Sequence, residues 1–278
     1  MRPAFIPASV IPVFAGWALA GHPLRPPDMV YLGATLLGVA LAHMSADLFN
    51  EYFDFKNGTD RASEARGLSG GMGILVRGML EPESVKRAGF VLLSLASLVG
   101  IILGLERGPV VLLFMAFGGV TVYMYTSTLQ RKGLGELTLA VERILTTAGS
   151  AYVFLLAVPL SSLIVGASLG ALSVFTVYYA AFPDYEADSE TGKKTLVVLL
   201  GKDRARRLAL LPVAAGYLFL LFGLAAGVLG LYPLATLLLV PFFIHTFTKL
   251  RGNMVEGLRE AALLARLFGV TVVLLLLL

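Results

Sequence analysis

No cysteine occurs in the chain, which excludes disulfides, thiolate nucleophiles and cysteine-based metal sites. Charge is nearly as scarce. Only 14% of the 278 residues are Asp, Glu, Lys or Arg, where a soluble domain carries about 25%. What fills the chain instead is apolar: 57% of residues are hydrophobic and the mean hydropathy is +0.83. Such a composition describes an integral membrane protein. The net charge of +4 would suit nucleic acid, but the placement of the basic residues gives a topological reason for it, and no nucleic-acid partner is expected. The opening M-R-P-A-F-I-P lacks a cationic stretch followed by a small-residue cleavage site, so the first apolar segment is expected to be retained.

A helix needs roughly 20 apolar residues to cross a bilayer. That rule predicts nine spans, over about 5–21, 29–49, 85–105, 108–127, 136–157, 162–183, 205–229, 231–248 and 259–278, in a single all-α transmembrane unit covering 1–278. Loop charge agrees with that reading. With nine spans, the loops after the second, fourth, sixth and eighth share a side with the N-terminus. All but Arg25, Arg107 and Arg143 of the 22 lysines and arginines fall on that side, with Arg259 and Arg266 assigned to the last of these loops. Basic residues accumulate in cytoplasmic loops, which predicts a multi-pass protein of the plasma membrane with a cytoplasmic N-terminus.

Two acidic stretches stand out against this background. In H-M-S-A-D-L-F-N-E-Y-F-D-F-K-N-G-T-D, Asp47, Asn50 and Asp54 share one helical stripe, with His43 a turn earlier as a partner for Asp47. Asn57-Gly58 reads as a helix stop that would return Asp60 over the same face from a loop. In F-P-D-Y-E-A-D-S-E-T-G-K-K-T-L, Asp184 and Asp188 are spaced i, i+4. Carboxylates near bilayer depth are costly and mark function. Two facing clusters suit Mg²⁺, a hard cation completed by waters and substrate phosphates. Taken singly, Asp60, Glu64 or Glu190 is as readily a solvated helix end. Taken together, Asn50, Asp54, Asp184 and Asp188 are not.

Nearby cations supply the complement. Arg77, Arg131, Lys132, Lys193 and Lys194 could neutralise a diphosphate, although each is also explained by topology; Arg131 and Lys132, in a very short loop before G-L-G-E, are the better candidates. Tyr123, Tyr125, Tyr178 and Tyr179 read either as interfacial belt residues or as aromatic faces for a cationic intermediate. Glu142 and Arg143, inside the fifth span, must face the bundle interior, as a structural ion pair or as groups holding a polar acceptor.

These motifs resemble the UbiA superfamily of intramembrane prenyltransferases over nearly the whole chain. The likeness rests on N-x-x-x-D…D at Asn50, Asp54 and Asp60, D-x-x-x-D at Asp184 and Asp188, the R-P-A-F-I-P-A-S-V-I-P-V opening and the S-G-G-M-G-I-L-V-R-G-M-L loop. R-K-G-L-G-E-L after Tyr125 and T-G-K-K-T-L-V-V-L-L-G-K resemble the branch that prenylates 1,4-dihydroxy-2-naphthoate on the way to menaquinone. The resemblance implies a helical bundle around a central cavity and Mg²⁺ held by Asn50, Asp54, Asp60, Asp184 and Asp188. It implies a polyprenyl diphosphate whose charge is met by Arg77, Lys132 and Lys194, and an aromatic acceptor reached within membrane lipid. Departure of the diphosphate would leave an allylic cation in a dry, aromatic-lined cavity. Three positions differ from the family pattern: Glu51, Ala180-Ala181, and V-E-R-I-L-T-T-A-G-S, where the naphthoate branch has an apolar Phe-Gly-Pro run in the acceptor region. Other acceptors within the superfamily, a cation- or proton-coupled transporter and a non-catalytic membrane partner are the competing readings.

Overall fold

The computed structural model describes residues 6–21, 26–64, 73–251 and 254–278. Its elements are helical throughout: α1 (Ile6–Leu19), α2 (Pro26–Asn57), α3 (Thr59–Glu64), α4 (Pro82–Arg107), α5 (Val110–Met124), α6 (Gly135–Leu155) and α7 (Leu160–Ala180). The short α8 (Tyr185–Glu190), α9 (Leu196–Leu200) and α10 (Lys202–Leu208) follow, then α11 (Leu211–Ala225), α12 (Val240–Thr248) and α13 (Met254–Leu276). Among the described residues, five helical runs are long and apolar enough to cross a membrane: Asp28–Asn57, Pro82–Arg107, Val110–Lys132, Leu160–Ala180 and Lys202–Ala225. Within the segment expected at 5–21 the described helix is Ile6–Leu19, and 231–248 begins as a 3₁₀ turn, Tyr232–Leu239.

Local chemistry sets these boundaries. Pro82 opens α4, where its missing N–H costs nothing. Thr195 caps α9 by accepting from Val198 N at 3.3 Å. Gly58, at φ +83°, lets the chain leave α2 and start α3 at once. Asp60 therefore sits on a short helix rather than in the loop expected from Asn57-Gly58. The outer faces of α4 and α11 carry exposed Val91, Leu98, Leu105, Leu218 and Phe222, the surface a helix presents to lipid.

Between α1, α6 and α7 the packing relies on small residues. A methyl group on Gly166 would stand 2.7 Å from Ile144 Cα, and one on Gly16 would stand 2.7 Å from Ala151 N. Ser150 Oγ donates to Val13 O at 2.7 Å in the same seam. Glycine here lets backbones approach closely where lipid offers no hydrophobic drive for association. The seam also sets the position of Arg143, whose carbonyl lies 3.2 Å from the site of that added Gly166 methyl.

Gly166→Ala should separate α6 from α7 and cost roughly 1–3 kcal/mol. Thermal unfolding in detergent measures this. Gly33→Ala, which would meet nothing within 4 Å, should leave the midpoint unchanged or slightly raised.

Candidate active site

A cavity of about 1020 Å³ runs between α1, α2, α4, α5, α6, α7 and α13. Its mouth is polar. Asn50 and Asp54 reach it from the last turns of α2, Asp184 from the turn before α8, and Asp188 from α8 itself. The two acidic motifs are thus brought together from positions some 130 residues apart in sequence. α3 and α8 close the mouth: the Thr59 and Thr191 hydroxyls lie 3.0 Å apart. Glu136, at the start of α6, accepts from Leu196 N at 2.8 Å and ties the approach to α9 to the same rim.

Lys193 stands between the motifs. Its Nζ donates to Asp54 Oδ1 at 3.1 Å and Oδ2 at 3.2 Å, and lies 4.0 Å from Asp188 Oδ1. Burial works against the ammonium charge, but Asp54 and Asp188 outweigh it and hold the group above the usual lysine range. Burial pushes the Asp188 carboxyl up to about 7; Lys193 opposes that rise, and Asp184, Asp54 and Glu136 add to it. Thr126 Oγ1 donates to Asn50 Oδ1, fixing the amide. Thr126 sits in the π-helical turn Tyr125–Leu129 that ends α5, a rare local geometry that widens the helix where Tyr125 enters the cavity wall.

Below the mouth the wall is apolar on one side, with Leu93, Val99, Leu103, Phe114, Met115 and Phe117 from α4 and α5. On the other side runs a polar chain. His43 Nε2 lies 3.9 Å from Asp47 Oδ1, at ion-pair distance rather than in the hydrogen bond expected for that pair. His43 Nδ1 shares a 2.8 Å hydrogen bond with Ser9 Oγ, and Ser9 in turn accepts from Arg143 Nη1 at 3.1 Å. Arg143 Nε donates to Ser173 Oγ at 3.2 Å. Glu142 lines the cavity beside it.

The sequence-predicted residues divide accordingly. Asn50, Asp54, Asp184, Asp188, Tyr125, Glu142 and Arg143 all line the one cavity. Asp60 is buried on α3 and does not. Arg77, Arg131, Lys132 and Lys194 are exposed and lie outside the cavity lining; Arg77 Nε donates to Gly73 O at 3.0 Å, and Lys194 N to Gln130 O at 3.0 Å. Of the adjacent lysines it is Lys193 that turns inward. Tyr178 and Tyr179 are core residues rather than a belt, donating to Ala205 O and Thr246 O. Arg259 and Arg266 belong to α13 rather than to the preceding loop, and Arg266 lines the cavity. Ser9, Ser173 and Thr126 carried no signal as single small polar residues in apolar helices. Only proximity reveals them.

Among the described residues, no three histidine or carboxylate groups converge as a metal-binding group. The donor set nevertheless fits a hard divalent ion. Three carboxylates and an amide oxygen, all hard donors, face the mouth, and the gap between Asp54 and Asp188 already attracts a cation, the Lys193 ammonium.

Fold and site together define a multi-pass helical membrane protein with an anionic, cation-seeking mouth above a largely apolar cavity. Comparison with known proteins names the class: residues 9–274 match the UbiA prenyltransferase family, and the chain belongs to it. It is a polyprenyl transferase. A 1,4-dihydroxy-2-naphthoate octaprenyltransferase of Bacillus subtilis is 24% identical, covering 96% of this chain and 88% of the relative. One from Mycobacterium leprae is 29% identical over 78% of this chain and 74% of its own. A UbiA homolog from Archaeoglobus fulgidus, solved bound to GPP and Mg²⁺, superposes with a TM-score of 0.74 at 17% identity, over 100% of this chain and 98% of its own.

Replacing Lys193 with Met should leave Asp54 and Asp188 facing each other uncompensated. The metal-free protein should lose roughly 3 kcal/mol, and Mg²⁺ should raise the thermal midpoint of Lys193→Met by more than it raises that of the wild type. The Asp188 carboxyl supplies a pH dependence. Its folded-state value lies above the unfolded one, so its stabilising effect is complete below about pH 4 and is lost as pH rises through 7. In EDTA the wild-type midpoint should fall between pH 5 and 7.5, and Asp188→Asn should fall less.

Proposed function

We propose that the chain transfers a polyprenyl group from its diphosphate to an aromatic acceptor, 1,4-dihydroxy-2-naphthoate being the best supported, with Mg²⁺ as cofactor. One observation carries this reading: two acidic motifs meet over a cavity whose wall beneath them is apolar. Both relatives described above are named for that acceptor, and the Archaeoglobus homolog holds a prenyl diphosphate with Mg²⁺. The basic loops support a plasma-membrane protein with this mouth on the cytoplasmic side.

Asn50, Asp54, Asp184 and Asp188 would hold the ion. When bound, it supplies positive charge that stabilises the diphosphate as it departs. Asp60, buried on α3, supports the mouth from outside the ligand set. Lys193, already at the mouth, adds a mobile cation able to turn from the carboxylates to a diphosphate oxygen. Arg77, Arg131, Lys132 and Lys194 act on the approach from solvent. The isoprenoid chain lies along the α4–α5 wall, where Leu103, Phe114 and Met115 exclude water. The carbon–oxygen bond of the donor breaks with its electron pair on the diphosphate. The resulting allylic cation faces the ring of Tyr125, whose electron-rich face stabilises positive charge. The acceptor ring donates a pair to form the carbon–carbon bond, and the attacked ring carbon then releases its own proton, or its carboxyl group as CO₂, leaving that bond's electron pair to restore the aromatic ring. A dry cavity strengthens each of these electrostatic effects.

The test is a product assay by mass spectrometry with purified protein, Mg²⁺, farnesyl or geranylgeranyl diphosphate and dihydroxynaphthoate. A prenylated product is expected, abolished by EDTA and reduced by about 100-fold or more in Asp54→Asn. Product that persists in EDTA, or no turnover with any acceptor, would overturn the reading.

A further inference from the structure

The mouth and the apolar wall account for a donor, and leave Arg143 without a role. It lies about eight residues into α6, roughly 12 Å below the start of that helix, and is only 9% exposed. Two neutral hydroxyls hold it, Ser173 on Nε and Ser9 on Nη1. None of the described ion pairs includes it. Glu142 is its sequence neighbour, so the two side chains leave the helix about 100° apart. Nη2 makes no hydrogen bond to any described residue. This nitrogen is not fully enclosed, and Arg143 lines the cavity.

Glu142 attracts this guanidinium without touching it, so a cation withdrawn from water has no carboxylate in contact, an arrangement that a bound anion would complete. This one is also held in place. Ser9 from α1 and Ser173 from α7 grip it from two helices, and His43 fixes Ser9 in turn. Three N–H donors remain, one on Nη1 and two on Nη2, and a pair of donors on adjacent guanidinium nitrogens matches one carboxylate. Tyr125 lies within electrostatic reach of both Lys193 at the mouth and Arg143 below. An anion on Arg143 would lay an attached ring beside Tyr125, under the diphosphate seat.

We propose that Arg143, oriented by Ser9 and Ser173, binds the carboxylate of the aromatic acceptor, so that this cavity selects carboxylated rings over neutral ones. The inference rests on the transferase reading above and names a determinant of its acceptor class. Calorimetry in detergent without donor tests it separately from turnover, using 1-hydroxy-2-naphthoate and 1-naphthol as probes. The wild type should bind the carboxylated probe at least 10-fold more tightly. Arg143→Gln should bring the ratio near one and raise the KM for dihydroxynaphthoate while leaving the KM for the prenyl diphosphate within about twofold. Arg143→Lys should recover part of the preference, and Ser9→Ala and Ser173→Ala, which keep the charge, should each lower it severalfold even if Arg143→Gln fails to fold. An unchanged ratio in all variants, an equal loss for both probes, or Arg143-dependent binding of a glycerol phosphate lipid in place of the carboxylated ring would overturn the proposal. Absence of donor turnover in the wild type with the probe ratio intact would instead count against the transferase reading.

Discussion

Anionic groups at the edge of a low-dielectric interior cannot stand together without a cation, and that constraint organises this protein. Asp54 and Asp188 come from helices far apart in sequence, yet both approach one ammonium group. The attraction is strong because water is largely excluded, and for the same reason the unpaired state is costly. Around that contact the short helices α3 and α8 are joined through Thr59 and Thr191, while Glu136 and Thr126 orient the segments that carry the remaining mouth residues. A site built this way is held together by the same electrostatics that would later receive a metal–diphosphate.

The cavity has two sides because its helices do different jobs. α4 and α5 present apolar side chains both to lipid and to the cavity, so they form a wall along which a hydrocarbon chain loses nothing on leaving the bilayer. α1, α6 and α7 are pressed together through Gly16 and Gly166, and the seam they make carries every partner of Arg143 except His43, which acts through Ser9. Close backbone contact is what makes a buried hydroxyl array precise. Helices separated by ordinary leucine packing would leave Ser9 and Ser173 too far apart to grip one guanidinium.

Much of this was legible in the sequence. Apolar run lengths located most helical segments, although α2 runs eight residues past the expected 49 and the segment expected at 205–229 divides into α10 and α11; the i, i+3, i+7 stripe put Asn50 and Asp54 on one face. The errors have identifiable physical causes. Asp60 was expected over the mouth because Asn57-Gly58 signals a helix stop; the stop is real, but α3 begins in the next residue and takes Asp60 into its first turn. Lys193 and Lys194 are indistinguishable by composition, and the turn after α8 decides between them: Lys193 N bonds Asp188 O at 2.8 Å, which aims its side chain at the mouth, whereas the Lys194 backbone is drawn to Gln130. Arg266 was assigned to a loop because charge suggests solvent, although a helix can carry an arginine at depth wherever it faces a polar cavity.

The same reasoning explains why Glu142 and Arg143 resist assignment from sequence alone. Adjacent opposite charges suggest a salt bridge, but neighbours on a helix diverge by about 100° and face different surroundings. Here the divergence leaves both on the cavity wall, without an ion-pair contact between them. A structural pair would have been satisfied within the protein and would need no cavity. A cation held by neutral hydroxyls, with Glu142 near but not in contact, keeps donors that a ligand in the cavity can use.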